Sequence, residues 1–175
     1  MFNTTIATQI YAKICFEATN SQKKIIENLS EYLSDDDFSR IFVLNGFAGT
    51  GKTTLIAAVV AALKELRIKP VLLAPTGRAA KVLARYCGEQ ALTIHKRIYR
   101  QRTNADYESK FSLDFNREQG AVFIVDEASM LSDSTGDGAL FGSGSLLEDL
   151  VSYVRSGRGC RLILVGDSAQ LPPVG

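Results

Sequence analysis

Ile41-Phe42-Val43-Leu44-Asn45-Gly46-Phe47-Ala48-Gly49-Thr50-Gly51-Lys52-Thr53-Thr54 decides the fold. A short aliphatic run leads into the pattern G-x-x-x-x-G-K-[ST], and an Ala- and Leu-rich stretch with helical character, Thr53 to Leu66, leaves it. In a strand–turn–helix unit the glycines let backbone N–H groups curl around a phosphate, and the helix adds its positive N-terminal end. Lys52 would neutralise β- and γ-phosphates, and the Thr53 hydroxyl would complete a Mg2+ shell. This reading sets Gly46, Gly49, Thr50, Gly51, Lys52, Thr53 and Thr54 around a nucleotide's phosphates, with ATP and Mg2+ as cofactors.

Outward from that unit, three more runs repeat its strand: Val71 to Ala74, Ala121 to Val125 and Leu162 to Val165. All are continuously apolar rather than alternating, as strands buried on both faces of a parallel sheet are. Helical patterns lie between and before them. Ser21 to Leu33 sets Ile25, Ile26, Leu29 and Leu33 on one side with Asn20 or Ser21 as N-cap; Gly77 to Tyr86 and Leu146 to Val154 complete the set. Strands alternating with helices predict an α/β domain, a parallel sheet with helices on both faces. Two stretches break the rhythm. Within the polar segment 100–119, the alternating Lys110 to Phe115 reads as one strand of a small hairpin. Segment 132–145 is rich in Gly, Ser and Asp and reads as a mobile loop, since its apolar content is too small to offset the entropy of ordering.

The loop pattern alone leaves kinases, GTPases and motors open. Ala121 to Val125 runs straight into Asp126 and Glu127, which places two carboxylates at the carboxyl edge of the sheet, where open α/β folds bind ligands. Asp126 suits Mg2+ held through water, and Glu127 suits a general base acting on the attacking water.

The run Leu162-Ile163-Leu164-Val165-Gly166-Asp167-Ser168-Ala169-Gln170-Leu171-Pro172-Pro173-Val174-Gly175 resembles motif III of superfamily 1 helicases. With the phosphate loop and Asp126-Glu127-Ala128-Ser129 it comes in that family's order. Ala74 to Lys81 resembles motif Ia of the RecD-like and conjugative-relaxase helicases, and Thr93-Ile94-His95 resembles the Ib element. Gln22 matches the Q motif that reads adenine. The likeness covers Thr19 to Gly175, with a helical Q-motif lead-in over 19–34. It implies a P-loop NTPase of RecA-like fold and an ATP-dependent, 5′-to-3′ DNA helicase. It further implies that Gln170 senses the γ-phosphate, that Pro75, Thr76 and Arg78 lie along a single strand, and that Thr93 and His95 lie near its backbone. His95 is equally readable as a packed core residue, and Gln170 as a surface turn.

Between Arg78 and Arg102 seven Lys/Arg face one acid, Glu89, on a chain of net charge +1. Such a patch suits a phosphate backbone, though a solvated helix face has the same composition. The chain stops at Gly175, before the family's motifs IV to VI. A fragment is therefore expected, the N-terminal RecA-like domain over 1–175, with the second such domain and its arginine finger absent. The implied partners are single-stranded DNA, that missing domain and other helicase–nuclease subunits. Rival readings are an RNA helicase of the same superfamily and a P-loop kinase or nucleotide-gated binding module. Three scattered cysteines without a CxxC pair argue against a zinc site or disulfide framework. The N-terminus lacks a signal-peptide pattern, and the longest apolar stretch, Leu55 to Leu63, is too short for a bilayer. A cytoplasmic protein without membrane contact is expected.

Overall fold

The computed structural model describes residues 2–46, 51–103, 109–133 and 141–167. Of the expected site residues, Gly49, Thr50 and Gln170 lie outside these, as does the middle of the 132–145 segment. Five parallel strands form the main sheet: β1 (Ile41–Asn45), β2 (Pro70–Ala74), β3 (Ala91–Thr93), β6 (Val122–Val125) and β7 (Arg161–Gly166), in spatial order β1-β7-β6-β2-β3. The expected α/β architecture is what forms. Because β7 and β6 come between β1 and β2, the chain leaves β1, skips two places and later returns to fill them. Such a reversal of strand order opens a crevice at the carboxyl edge.

The sheet is covered on both faces. Alternate residues feed two cores: Leu72, Val122, Ile124, Ile163 and Val165 join one, while Val71, Leu73, Phe123, Val125, Leu162 and Leu164 join the other. Four helices supply side chains to the first, namely α1 (Phe2–Lys13), α2 (Asn20–Ser34), α3 (Lys52–Glu65) and α4 (Gly77–Cys87). The second is closed by α5 (Ile94–Ile98), a 3-10 turn at Ala128–Asp133 and α6 (Leu146–Ser156). Burial on both faces explains why β2, β6 and β7 do not alternate in sequence, whereas β1, at the sheet edge, leaves Val43 40% exposed.

Among the described side chains of α1, Ile6 and Ile10 are its buried anchors, each 1% exposed and one turn apart, with Ala7 packed beside them. Burying a side chain of that size contributes about 2 kcal/mol, so packing against the sheet-side helices, not propensity, holds this helix. α2 is capped by Thr19, not by the expected Asn20 or Ser21. The Thr19 hydroxyl accepts from the Gln22 amide N–H, and Thr19 N–H donates to Gln22 Oε1 at 2.9 Å. This reciprocal capping box satisfies two donors with one pair of side chains, which neither Asn20 nor Ser21 could do here. At its other end the Tyr32 hydroxyl donates to Leu162 C=O at 2.9 Å and receives Leu162 N–H at 3.1 Å, tying α2 to β7.

The expected hairpin exists: β4 (Tyr99–Thr103) pairs antiparallel with β5 (Ser109–Leu113). At its base Phe141 stacks on Phe111 with centroids 4.6 Å apart, and Gly142 N–H donates to Phe111 C=O. Asp149 of α6, 5% exposed, receives the Tyr99 hydroxyl at 2.6 Å and Ser143 N–H at 3.0 Å. The described end of the 132–145 segment is thereby anchored to both the hairpin and α6.

Candidate nucleotide and nucleic-acid site

β1, β7 and β6 end side by side, with Asn45 opposite Gly166 and Val125 opposite Leu164. Whatever follows these strands is therefore gathered at one edge: the phosphate loop, Asp126-Glu127 and Asp167. A cavity of about 400 Å3 opens there, walled by Lys52, Thr53, Thr54, Asp126, Glu127 and Asp167. Gly51 caps α3 with φ at +79°, a left-handed conformation that favours glycine. A Cβ at that position would come within 3.3 Å of Gln22 Nε2. Gln22 therefore uses its carbonyl in the α2 cap and keeps its amide nitrogen beside the phosphate loop.

Among the described residues Lys52 is the only basic side chain in that wall. Its ammonium pairs with Asp167 and donates to the Gly46 and Gly166 carbonyls. It thus ties the loop to the end of β7. Three carboxylates surround one cation, and their titration reflects it. Burial pushes the Asp126 carboxyl above its ordinary range, with Asp167 adding to the rise and Lys52 opposing it. Glu127 is raised by burial and by both neighbouring acids. Glu127 also holds φ at +55°. For a non-glycine residue such a conformation costs about 1–3 kcal/mol and concentrates at functional positions.

The donors fit a hard divalent cation: oxygen atoms only, from Thr53 and the carboxylates. Among the described residues no cluster of three or more His, Cys, Asp or Glu could hold a metal by itself. Mg2+ does not need one, because it keeps several waters and takes one or two protein oxygens plus phosphate oxygens.

A second cavity, about 610 Å3, adjoins the first through Gly51 and Lys52. Thr19, Gln22, Ile25, Leu44 and Leu55 wall it, from the start of α2, the end of β1 and α3. An apolar slot with an amide at its rim, next to a phosphate site, suits a nucleoside.

The expected strand-contact residues gather elsewhere on the same edge. Ala74 of β2 pairs with Thr93 of β3, so Pro75-Thr76-Gly77-Arg78 and Thr93-Ile94-His95 leave two adjacent strands, β2 and the edge strand β3, together. Thr76 and Thr93 are both N-caps, accepting from Ala79 N–H and Lys96 N–H at 3.2 Å each. Arg78 is exposed, whereas His95 packs between the rings of Tyr99 and Phe141 at 5.6 and 5.0 Å. The basic patch is smaller than its composition implied. Arg97 is withdrawn into an ion pair with Glu118 at 2.7 Å and lies over the Phe123 ring. Glu89 is itself engaged by Lys64.

Three residues that wall the phosphate cavity, Tyr86, Gly166 and Asp167, escaped the sequence reading as site members. Asp167 follows a continuous apolar strand just as Asp126 does, so the same logic would have found it. Tyr86 comes from α4, and no local pattern points to it. Arg155 and Arg161 serve the opposite end of the sheet: Arg155 donates to Ser39 C=O, and Arg161 to Asp35 C=O while stacking on Phe38.

Comparison with known proteins agrees with this geometry. Residues 17–175 match the family described as AAA domain. The chain is 31% identical over 154 residues to the ATP-dependent RecD2 DNA helicase of Deinococcus radiodurans, covering 88% of this chain and 19% of that protein. It is 35% identical over 158 residues to the RecBCD enzyme subunit RecD of Mycobacterium tuberculosis, covering 77% and 24%. With the ATP-dependent DNA helicase dda of Enterobacteria phage T4 it shares 34% over 136 residues, covering 75% and 28%. The chain thus spans between 19% and 28% of the length of these relatives. No helix among the described residues is long and apolar enough to cross a membrane. The chain belongs to the family described as AAA domain, with the phosphate-loop α/β architecture of a P-loop NTPase, and is similar to RecD-type helicases over part of their length.

Proposed function

We propose that this chain is the ATP-binding and ATP-hydrolysing domain of a 5′-to-3′ DNA helicase stimulated by single-stranded DNA. The observation that carries the reading is the division of one sheet edge into two stations. Lys52, Asp126, Glu127 and Asp167 gather over β1, β7 and β6; Pro75, Thr76, Arg78, Thr93 and His95 gather over β2 and β3, held in register by Ala74 and Thr93. β2 and β6 are paired neighbours, so the two stations share a rigid support.

In this reading adenosine enters the slot beside Gln22, and its phosphates lie along the N-terminus of α3 against Lys52. Thr53 and Asp126 hold Mg2+, which when bound neutralises charge on the β- and γ-phosphates. Glu127 takes a proton from the attacking water. Gln170 senses the γ-phosphate, Arg78 contacts strand phosphates, and a second RecA-like domain supplies an arginine finger. The cytoplasm is the compartment that fits such a motor.

The test is directional. A protein carrying this domain together with its second motor domain should unwind a 5′-tailed DNA duplex and leave a 3′-tailed one intact. Unwinding of the 3′-tailed duplex overturns the polarity. Stimulation by single-stranded RNA but not DNA returns the RNA-helicase reading, and ATP turnover indifferent to both returns a kinase or binding module.

A further inference from the structure

Tyr86 stands apart from the other residues that wall the phosphate cavity. Those come from the phosphate loop and α3, the end of β6 or the end of β7; Tyr86 alone comes from α4. That helix turns Ala80 and Leu83 into the core. At 100° per residue its Tyr86 falls on the flank, where it is 61% exposed. Among the described residues its ring stacks on no other ring, and its hydroxyl has no hydrogen-bond partner. An aromatic ring left in water at the mouth of a polar cavity contributes little to the fold, so its place invites a ligand.

The position along the ligand follows from the two cavities. Among the described residues they share Gly51 and Lys52. Tyr86 belongs to the one that holds Asp126, Glu127 and Asp167, not to the apolar slot beside Gln22 and Leu44. A nucleoside in the slot and a chain of phosphates running past Lys52 bring the terminal phosphate, not the α-phosphate, to Tyr86. The facing walls are carboxylates, which repel a phosphate unless a cation intervenes. A phenolic O–H is a neutral donor and needs none.

We infer that Tyr86 is a further substrate contact, its hydroxyl donating to a non-bridging oxygen of the γ-phosphate, so that the chain distinguishes a nucleoside triphosphate from a diphosphate. This rests on the nucleotide reading above. Calorimetric titration of the 175-residue chain with Mg-ADP and with the non-hydrolysable Mg-AMP-PNP tests it. Tyr86→Phe keeps the ring and removes only the hydroxyl; an unchanged thermal midpoint checks its folding. A hydrogen bond to a charged group carries on the order of a tenfold effect. The AMP-PNP affinity should therefore fall roughly tenfold in Tyr86→Phe while the ADP affinity stays within about twofold. No change in either affinity, or an equal loss of both, overturns the inference and leaves the nucleotide site standing, provided that Lys52→Ala loses both ligands. Failure of the unaltered chain to bind either nucleotide overturns the site itself, and the Tyr86 contact with it.

Discussion

Lys52 and Asp167, 115 residues apart in the chain, meet as an ion pair inside the phosphate cavity. A polyphosphate has to replace that carboxylate as the partner of Lys52. Asp167→Asn should therefore strengthen ADP binding measured without Mg2+. The side chain of Asp167 is 39% exposed, so the gain is modest, about threefold. Weaker binding in equilibrium dialysis would mean that Asp167 helps the nucleotide rather than competing with it.

Lys52→Ala removes the only cation that the described residues place in the cavity wall. Nucleotide affinity should drop by on the order of a hundredfold, the scale of a lost charge-assisted contact to phosphate. The side chain projects into a cavity rather than the core, so circular dichroism should report an intact fold. Normal affinity in a folded variant would remove the phosphate-loop assignment.

Glu127→Gln keeps the shape of the side chain and removes the base. Binding of Mg-ATP should survive, because Thr53 and Asp126 remain, while hydrolysis falls by on the order of a hundredfold or more. In the unaltered protein, burial and the neighbouring acids raise the Glu127 carboxyl above its ordinary value of 4.5. Hydrolysis should accordingly fade on acidification at a pH above 4.5, since the base is lost as pH falls through the raised value. Turnover that matches the unaltered protein would place water activation elsewhere.

The raised Asp126 carboxyl makes a separate claim about stability. A carboxyl whose folded pKa exceeds the unfolded one favours the fold below the unfolded value, and that contribution is lost as pH rises through the folded value. At pH 7 ionised Asp126 therefore opposes folding of the unliganded chain. Asp126→Asn should raise its thermal midpoint by about 2 °C at pH 7, and the gain should vanish as pH falls below the ordinary value of 3.8, where the carboxyl is protonated in both the folded and the unfolded chain. A lower midpoint at pH 7 would contradict this.

Arg78 is exposed at the start of α4 beside the β3 exit. Arg78→Ala should weaken binding of oligo-dT and of mixed-sequence strands alike, and reduce the salt slope by about one. An unchanged slope would return Arg78 to a solvated helix face.

Legibility in the sequence followed burial. β2, β6 and β7 were readable because strands covered on both faces must be continuously apolar; β1, at the sheet edge with Val43 40% exposed, was readable from its aliphatic run into the phosphate-loop pattern. The helix α2 was readable from its stripe and α3 from an Ala- and Leu-rich composition that is buried on most sides. α1 was not: among its described side chains only Ile6 and Ile10 are fully buried, with Ala7 packed beside them, too few to mark a stripe in the sequence. β3 is three residues long and exists through its pairing with Leu72 to Ala74. The polar β4 is held by its partner β5. In the cavity wall, Lys52 was legible from the G-x-x-x-x-G-K-[ST] pattern, and Asp126 and Glu127 because they follow directly on the end of β6. Arg97 was misread as part of a basic patch, since only the fold reveals that Glu118 lies within reach.

The central claim is that one sheet edge carries both a nucleotide station and a strand station. Steady-state ATP turnover with and without oligo-dT, in a protein carrying this domain with its second motor domain, tests it most directly. The account predicts turnover that rises at least about tenfold with the strand, a coupling of roughly 1.4 kcal/mol, and that is lost in Lys52→Ala. Turnover equal with and without the strand would contradict it.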